Sequence, residues 1–209
     1  MGHSYGSLLG IHYVAAYPEK VESYIGIGQS VSLIDTQQEN YNEIIDFVKN
    51  DKKKLEKITK AYHDLRNNLN LETLMAFQQL TMPCFMANTA GLKQKNQLEL
   101  LFSSPDLGFN DVRWLLGMLS LKGHYSRNKK LIDYTLKANT YDAGVEFFIP
   151  MNFVSGEHDK SCSVDLLKKY YETIIAPSKS LLIMKACAHC PQYDKPKLLA
   201  NEVRNLLRK

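Results

Sequence analysis

Met1-Gly2-His3-Ser4-Tyr5-Gly6 is the stretch on which the reading of this 209-residue chain turns. Gly2-x-Ser4-x-Gly6 matches the nucleophile elbow, a sharp strand-to-helix turn that lifts a serine hydroxyl above a sheet edge. Such a turn holds its serine in a sparsely populated backbone region. Glycines are expected at both ends, where a side chain would collide with the neighbouring strand and helix. Residues 7–17 read as a helix of small and apolar side chains, stopped by Pro18. No strand is expected ahead of the turn, because the sequence starts at Met1. The pattern is short, and a glycine-containing loop with Ser4 capping a helix fits it too. What decides is whether an acid and a histidine follow in the right order.

Working outward, Val21-Glu22-Ser23-Tyr24-Ile25-Gly26-Ile27-Gly28 is a β-branched and aromatic run that predicts a short buried strand. Helical periodicity then takes over from Asp35 to Asn139. Ile44, Ile45 and Val48 mark one amphipathic piece, and Leu55, Ile58, Tyr62 and Leu65 the next. Leu71, Leu74, Met75 and Phe77 predict a helix ending at Pro83. Further pieces follow at Leu98, Leu101 and Phe102, at Val112, Leu115, Leu116 and Leu119, and at Leu131, Tyr134 and Leu136. Gly91, Pro105, Asp106, Gly108 and Gly123 separate them. This predicts a helical insertion at residues 35–140 between two parts of an α/β core, residues 1–34 and 141–209. In the second part, residues 147–154 and 180–184 predict strands, Pro150 disfavouring full pairing of the first. Residues 164–175 and 196–207 predict helices.

Composition sets the class. Hydrophobic residues make up 44% and charged residues 23%, and the net charge is +4, as in an ordinary globular domain. The basic run Lys52-Lys53-Lys54 lies beside Asp51 and Glu56, which suits a solvated helix face better than a nucleic-acid patch. No apolar run is long enough to span a membrane, and no secretory signal is evident. Cys84, Cys162, Cys187 and Cys190 have no disulfide-framework spacing, which predicts a reducing, cytoplasmic setting. Cys187-Ala188-His189-Cys190 imitates a metal motif. Cys84 and Cys162 stand as isolated singles, however, so neither a metal nor a cofactor is expected.

Asp159 follows one predicted strand in a Gly156-x-x-Asp159 turn, and His189 follows the next. Loops beyond strand C-termini are where α/β sheets assemble their sites. Ser4, Asp159 and His189 therefore fall in the order nucleophile, acid, histidine. Taken one at a time, Asp159 also fits an Asx turn and His189 a packed loop residue. Asp35, beyond the preceding strand, is a rival acid, with Glu157 and Asp165 weaker ones. His3, His12, His63, His124 and His158 are assigned no chemistry.

On these residues the chain resembles the α/β-hydrolase superfamily, and within it helical-capped members similar to proline iminopeptidases. The matching stretches are Gly2 to Gly6, Tyr17-Pro18-Glu19-Lys20-Val21, Ile25-Gly26-Ile27-Gly28-Gln29, Ser155-Gly156-Glu157-His158-Asp159 and the run from Ala186 to Tyr193. The resemblance implies about three parallel strands of a hydrolase sheet with flanking helices, plus a helical cap. It implies that Ser4 attacks a carbonyl, His189 shuttles the proton, Asp159 fixes the ring and the Tyr5 N–H helps hold the oxyanion. Peptide, amide or ester bonds are the implied substrates, and a carboxylesterase is the alternative. In an aminopeptidase, Glu72 or Glu99 in the cap is a candidate for holding the substrate's ammonium group. The family's early strands and its second oxyanion loop have no counterpart in this sequence. That absence predicts a C-terminal part of a hydrolase, weakly active or inactive alone. The strand after Pro18 is then expected to present an open edge, where a missing half or a second copy could bind. A non-catalytic interaction module is the reading from a different class.

Overall fold

The computed structural model describes residues 1–88, 107–118 and 121–207. The expected helical piece at Leu98, Leu101 and Phe102, the breakers Gly91, Pro105 and Asp106, and the candidate acid Glu99 lie outside them, as does Leu119. Four parallel strands form one sheet in the order β1 (Gly2–His3), β2 (Tyr24–Ile27), β3 (Met151–Gly156), β4 (Lys179–Met184). A short strand does precede the elbow, correcting the expectation that there is none. Gly2 and His3 lie opposite Gly26 and Ile27. Among the described residues β2 is therefore paired on both sides, and β1 and β4 are the outer strands.

The sheet is covered on both faces, as parallel strands require. Helices α1 (Tyr5–Ala16) and, later in the chain, Val164–Thr173 cover one face. Ile11, Val14, Leu167 and Tyr170 there pack with Tyr24, Met151 and Phe153. On the other face Ile25, Ile27, Val154 and Met184 pack with Leu199, Val203 and Leu206 of the closing helix, Pro196–Leu207. The period-two alternation of β2 and β3 sends neighbouring side chains to opposite cores. Pro150 lies just ahead of β3, which begins one residue later. Its carbonyl still accepts the Tyr24 N–H, so the sheet loses no bond to its missing N–H.

Between β2 and β3 come α2 (Leu33–Val48), α3 (Lys52–Asn67), α4 (Leu71–Asn88), α5 (Phe109–Met118) and α6 (Leu121–Lys137). After β3 the described residues form the α-helices α7 (Val164–Thr173), α8 (Pro191–Asp194) and α9 (Pro196–Leu207). Helices α2, α3, α4 and α6 enclose a core of their own around Ile44, Ile58, Leu65, Phe77 and Leu136. Ser32 and Asp51 cap α2 and α3 by accepting the N–H groups of Asp35 and Lys54. Helix α4 passes through Pro83 instead of stopping there. The proline leaves the Gln79 carbonyl without its helical donor, and Gln79 is exposed, so water can take that role. Phe77, Cys84 and Phe85, all buried, hold the helix in the cap core on both sides of the proline. Chain entry and exit are pinned together, since Ser32 bridges Asn139 and the Thr140 N–H donates to the Val31 carbonyl. Among the described residues no helix is long and apolar enough to cross a membrane.

Candidate active site

Ser4 sits between β1 and α1 with φ 54° and ψ −122°, a conformation that costs about 1–3 kcal/mol in a non-glycine residue. Its surroundings enforce it. The Ser4 N–H donates to the Ile27 carbonyl at 3.0 Å, and its own carbonyl accepts the Ser7 N–H at 2.8 Å and the Ser7 hydroxyl at 2.5 Å. Ser7 Oγ in turn accepts the Ser30 N–H at 3.0 Å. Beneath lies Tyr24, whose hydroxyl is 2.7 Å from both the Ser7 carbonyl and Gln29 Oε1. Gln29 is fully buried and passes the network on to the Ser30 carbonyl and Thr140 Oγ1. A Cβ on Gly2 would stand 2.3 Å from the Gly6 carbonyl oxygen, so the tight approach of β1 to α1 demands glycine there. Gly6 does not share that reason, because a Cβ added to it would meet nothing within 4 Å.

The loops after β3 and β4 are laced to each other. The Glu157 N–H donates to the Met184 carbonyl at 3.0 Å and the His158 N–H to the Cys187 carbonyl at 2.9 Å. They come so close at Gly156 that a Cβ would lie 2.0 Å from the Ala188 carbonyl oxygen. Ala186 takes φ 50° to turn the chain into the second loop. The Ala188 N–H then donates to Asp194 Oδ2 at 2.8 Å, and the next residue is His189.

His189 Nε2 lies 2.8 Å from Ser4 Oγ, and its Nδ1 lies 2.9 Å from Asp159 Oδ2. Asp159 is buried, and its other oxygen accepts the N–H groups of Ser161 and Cys162 at 2.9 and 2.8 Å. That second pair of bonds fixes the carboxylate plane. Gly28, at φ +53°, leaves room for the pair, since a Cβ there would press within 3.2 Å of both Asp159 Oδ2 and His189 Nδ1. The structure thus brings Ser4, His189 and Asp159 into one hydrogen-bonded line. The Tyr5 N–H opens α1, where the first amides of a helix have no intrahelical partner. The Tyr5 phenol lies beside Tyr134 and Thr135 of α6, and burial pushes its pKa up.

The rival acids lie elsewhere. Asp35 is exposed in the first turn of α2, Glu157 is exposed and accepts the Ala186 N–H, and Asp165 is exposed and paired with Lys168. Glu72 is exposed in the first turn of α4. A polar groove of about 480 Å³ between α2 and the Asp159 loop is lined by Glu39, Glu43, Glu157 and Lys160, and Ser4 takes no part in it.

Two neighbours escaped the sequence reading. His3, assigned no chemistry from sequence, has its Nε2 2.8 Å from the His189 carbonyl oxygen, and the two rings tilt together at 4.8 Å. Burial lowers its pKa against the opposing pull of that backbone bond. The only clue was its place one residue before Ser4. Cys162 is not the isolated single it resembles in the sequence. Its Sγ, one Asp159 oxygen and one His189 nitrogen all lie within 4.8 Å of one another. Burial pushes this thiol well up, while the Ser30 and Ser4 hydroxyls beside it pull the other way by hydrogen bonding. Three residues after Asp159 was the only signal, and it needed the Asx turn to become informative.

No family model matches the chain. It is 26% identical over 203 residues to a protein named probable aminopeptidase YbaC from Bacillus subtilis (strain 168), covering 96% of this chain and 62% of that protein. Among solved structures it is similar to VinJ, with a TM-score of 0.59 and 13% identity over 99% of this chain and 64% of the other. It is also similar to MGS-M2, an alpha/beta hydrolase enzyme from a Medee basin deep-sea metagenome library. That likeness has a TM-score of 0.57 and 16% identity, covering all of this chain and 64% of the other. The chain therefore spans less than two thirds of each of these relatives.

Proposed function

We propose that this chain, which carries the α/β-hydrolase fold, is a serine hydrolase that cleaves peptide, amide or ester bonds through an acyl-enzyme. The observation that carries the reading is the line Ser4 Oγ, His189 Nε2, His189 Nδ1, Asp159 Oδ2, with gaps of 2.8 and 2.9 Å. Ser4 attacks the carbonyl carbon while His189 Nε2 takes its proton. The same nitrogen then gives that proton to the leaving amine or alcohol, and water repeats the sequence on the acyl-enzyme. Asp159 keeps the ring proton on Nδ1 and stabilises the imidazolium that forms between the two transfers. The Tyr5 N–H is the oxyanion donor assigned among the described residues.

Similarity to a protein named as a probable aminopeptidase supports peptides with a free N-terminus, over simple esters, as the substrates of this chain. Proline iminopeptidase-like selectivity is the finer form of that reading. Cleavage of a prolyl arylamide faster than of its N-acetylated form supports it, and preference for an aryl ester supports the esterase instead. The test of the chemistry itself is a fluorophosphonate probe. We expect complete labelling that disappears in Ser4→Ala, while Cys84→Ala labels normally. Folded protein without label after prolonged exposure would overturn the hydrolase reading.

A further inference from the structure

We propose that Asp159, Cys162 and His189 form a binding site for a thiophilic divalent cation of the zinc class, and that its occupation switches the hydrolase off. The inference rests on the Ser4–His189–Asp159 reading for its consequence, though not for the site itself. The donors are one carboxylate oxygen, one sulfur and one imidazole nitrogen, all within 4.8 Å of one another. In a tetrahedral zinc site with bonds of about 2.0–2.3 Å, neighbouring donors stand about 3.3–3.6 Å apart. Asp159 Oδ2 and His189 Nδ1 lie 2.9 Å apart, so this pair opens by a few tenths of an ångström while the Cys162 sulfur, within 4.8 Å, moves in to close the cluster. Sulfur, nitrogen and oxygen together make the donor set that zinc prefers over magnesium or calcium.

Two further features suit a cation. Asp159 and Cys162 are buried, while His189 keeps an accessible side on which an ion can arrive. The carboxylate is held by two backbone N–H groups, which leaves its second oxygen aimed at the cluster. Binding replaces the thiol proton by the metal and releases that proton to solvent, and an ion bound at Nδ1 sends the ring proton to Nε2, with no change of oxidation state. Whichever imidazole nitrogen the ion takes, one link of the chain breaks. Nε2 occupied cannot accept the Ser4 proton, and Nδ1 occupied loses Asp159.

Cobalt(II) supplies a readout independent of turnover, because a thiolate ligand gives it a near-ultraviolet charge-transfer band. Titrating the full chain with cobalt chloride should produce that band and saturate at one ion per chain. The band should be lost in Cys162→Ala and kept in Cys190→Ala, whose half-buried thiol also feels the Asp159 charge. Cys162→Ser serves the same purpose should the alanine variant aggregate. In parallel, zinc chloride should suppress fluorophosphonate labelling of the parent chain, reversibly with EDTA. Suppression in the Cys162 variant should need at least about tenfold more zinc, each protein being compared with its own metal-free rate. A band that survives Cys162→Ala, or that Cys190→Ala abolishes, overturns the proposal. So does labelling indifferent to zinc. A cobalt band on a chain that never labels would sink the hydrolase reading and keep the metal site.

Discussion

Asp159 divides its two oxygens between tasks, one accepting the Ser161 and Cys162 N–H groups and the other facing His189 Nδ1. That division predicts the effect of Asp159→Asn. Only an oxygen can accept two N–H bonds, so the new amide keeps its carbonyl there and turns its NH₂ toward Nδ1. Nδ1 must then accept, the ring proton moves to Nε2, and Nε2 can no longer take the proton of Ser4. Fluorophosphonate labelling should slow by about 10⁴-fold with the melting transition nearly unchanged. A loss below tenfold in a folded variant would defeat the tautomer argument. At this scale, residue type and position beside a strand end made Ser4, Asp159 and His189 legible in the sequence. His3 and Cys162 were not, because their neighbours are fixed by the meeting of two loops and a strand far apart in the chain. No local pattern encodes that meeting.

The strand–turn–helix element gives a paired prediction, since its two glycines look alike in sequence and differ in space. Gly2→Ala drives a methyl to 2.3 Å from the Gly6 carbonyl oxygen, and neither backbone can yield without moving Ser4. About 1–3 kcal/mol of stability should be lost, and labelling with it. Gly6→Ala meets open space inside α1 and removes a flexible residue from a helix, so stability should hold or rise by up to about 1 kcal/mol. Urea unfolding of both variants decides it, and equal losses would mean that Gly6 answers to the same crowding. Elsewhere the β-branched and aromatic run of β2 and the apolar spacing in the helices were readable because residue preference and helical period are local, whatever the element packs against. Two features stay hidden for different reasons. A two-residue strand has too little sequence to show a period, and a proline's missing N–H does not reveal that the affected turn faces water while its neighbours face a core.

Across the molecule, the cap and the acid loop are tied together, and the nature of the ties decides which matter. Glu39 meets Lys169 in an exposed ion pair, where water and salt weaken the attraction. Lys169→Ala should leave both unfolding and labelling where they are. Asn40 differs, being 3% exposed on α2 with its Nδ2 donating to the Lys160 carbonyl at 2.8 Å, one residue beyond Asp159. Thr36 Oγ1 adds a second bond, accepting the Ser163 N–H. Asn40→Ala leaves the Lys160 carbonyl without its donor, which should cost about 1–3 kcal/mol. It should also slow labelling by more than the unfolded fraction explains, because freeing Lys160 loosens the turn that aims the Asp159 carboxylate. Urea unfolding followed by circular dichroism, run beside labelling rates for both variants, separates these effects. Lost stability with a normal rate per folded molecule would mean that the Ser161 and Cys162 amides alone hold the acid. That outcome would leave the cap a cover with no hand in the geometry beneath it.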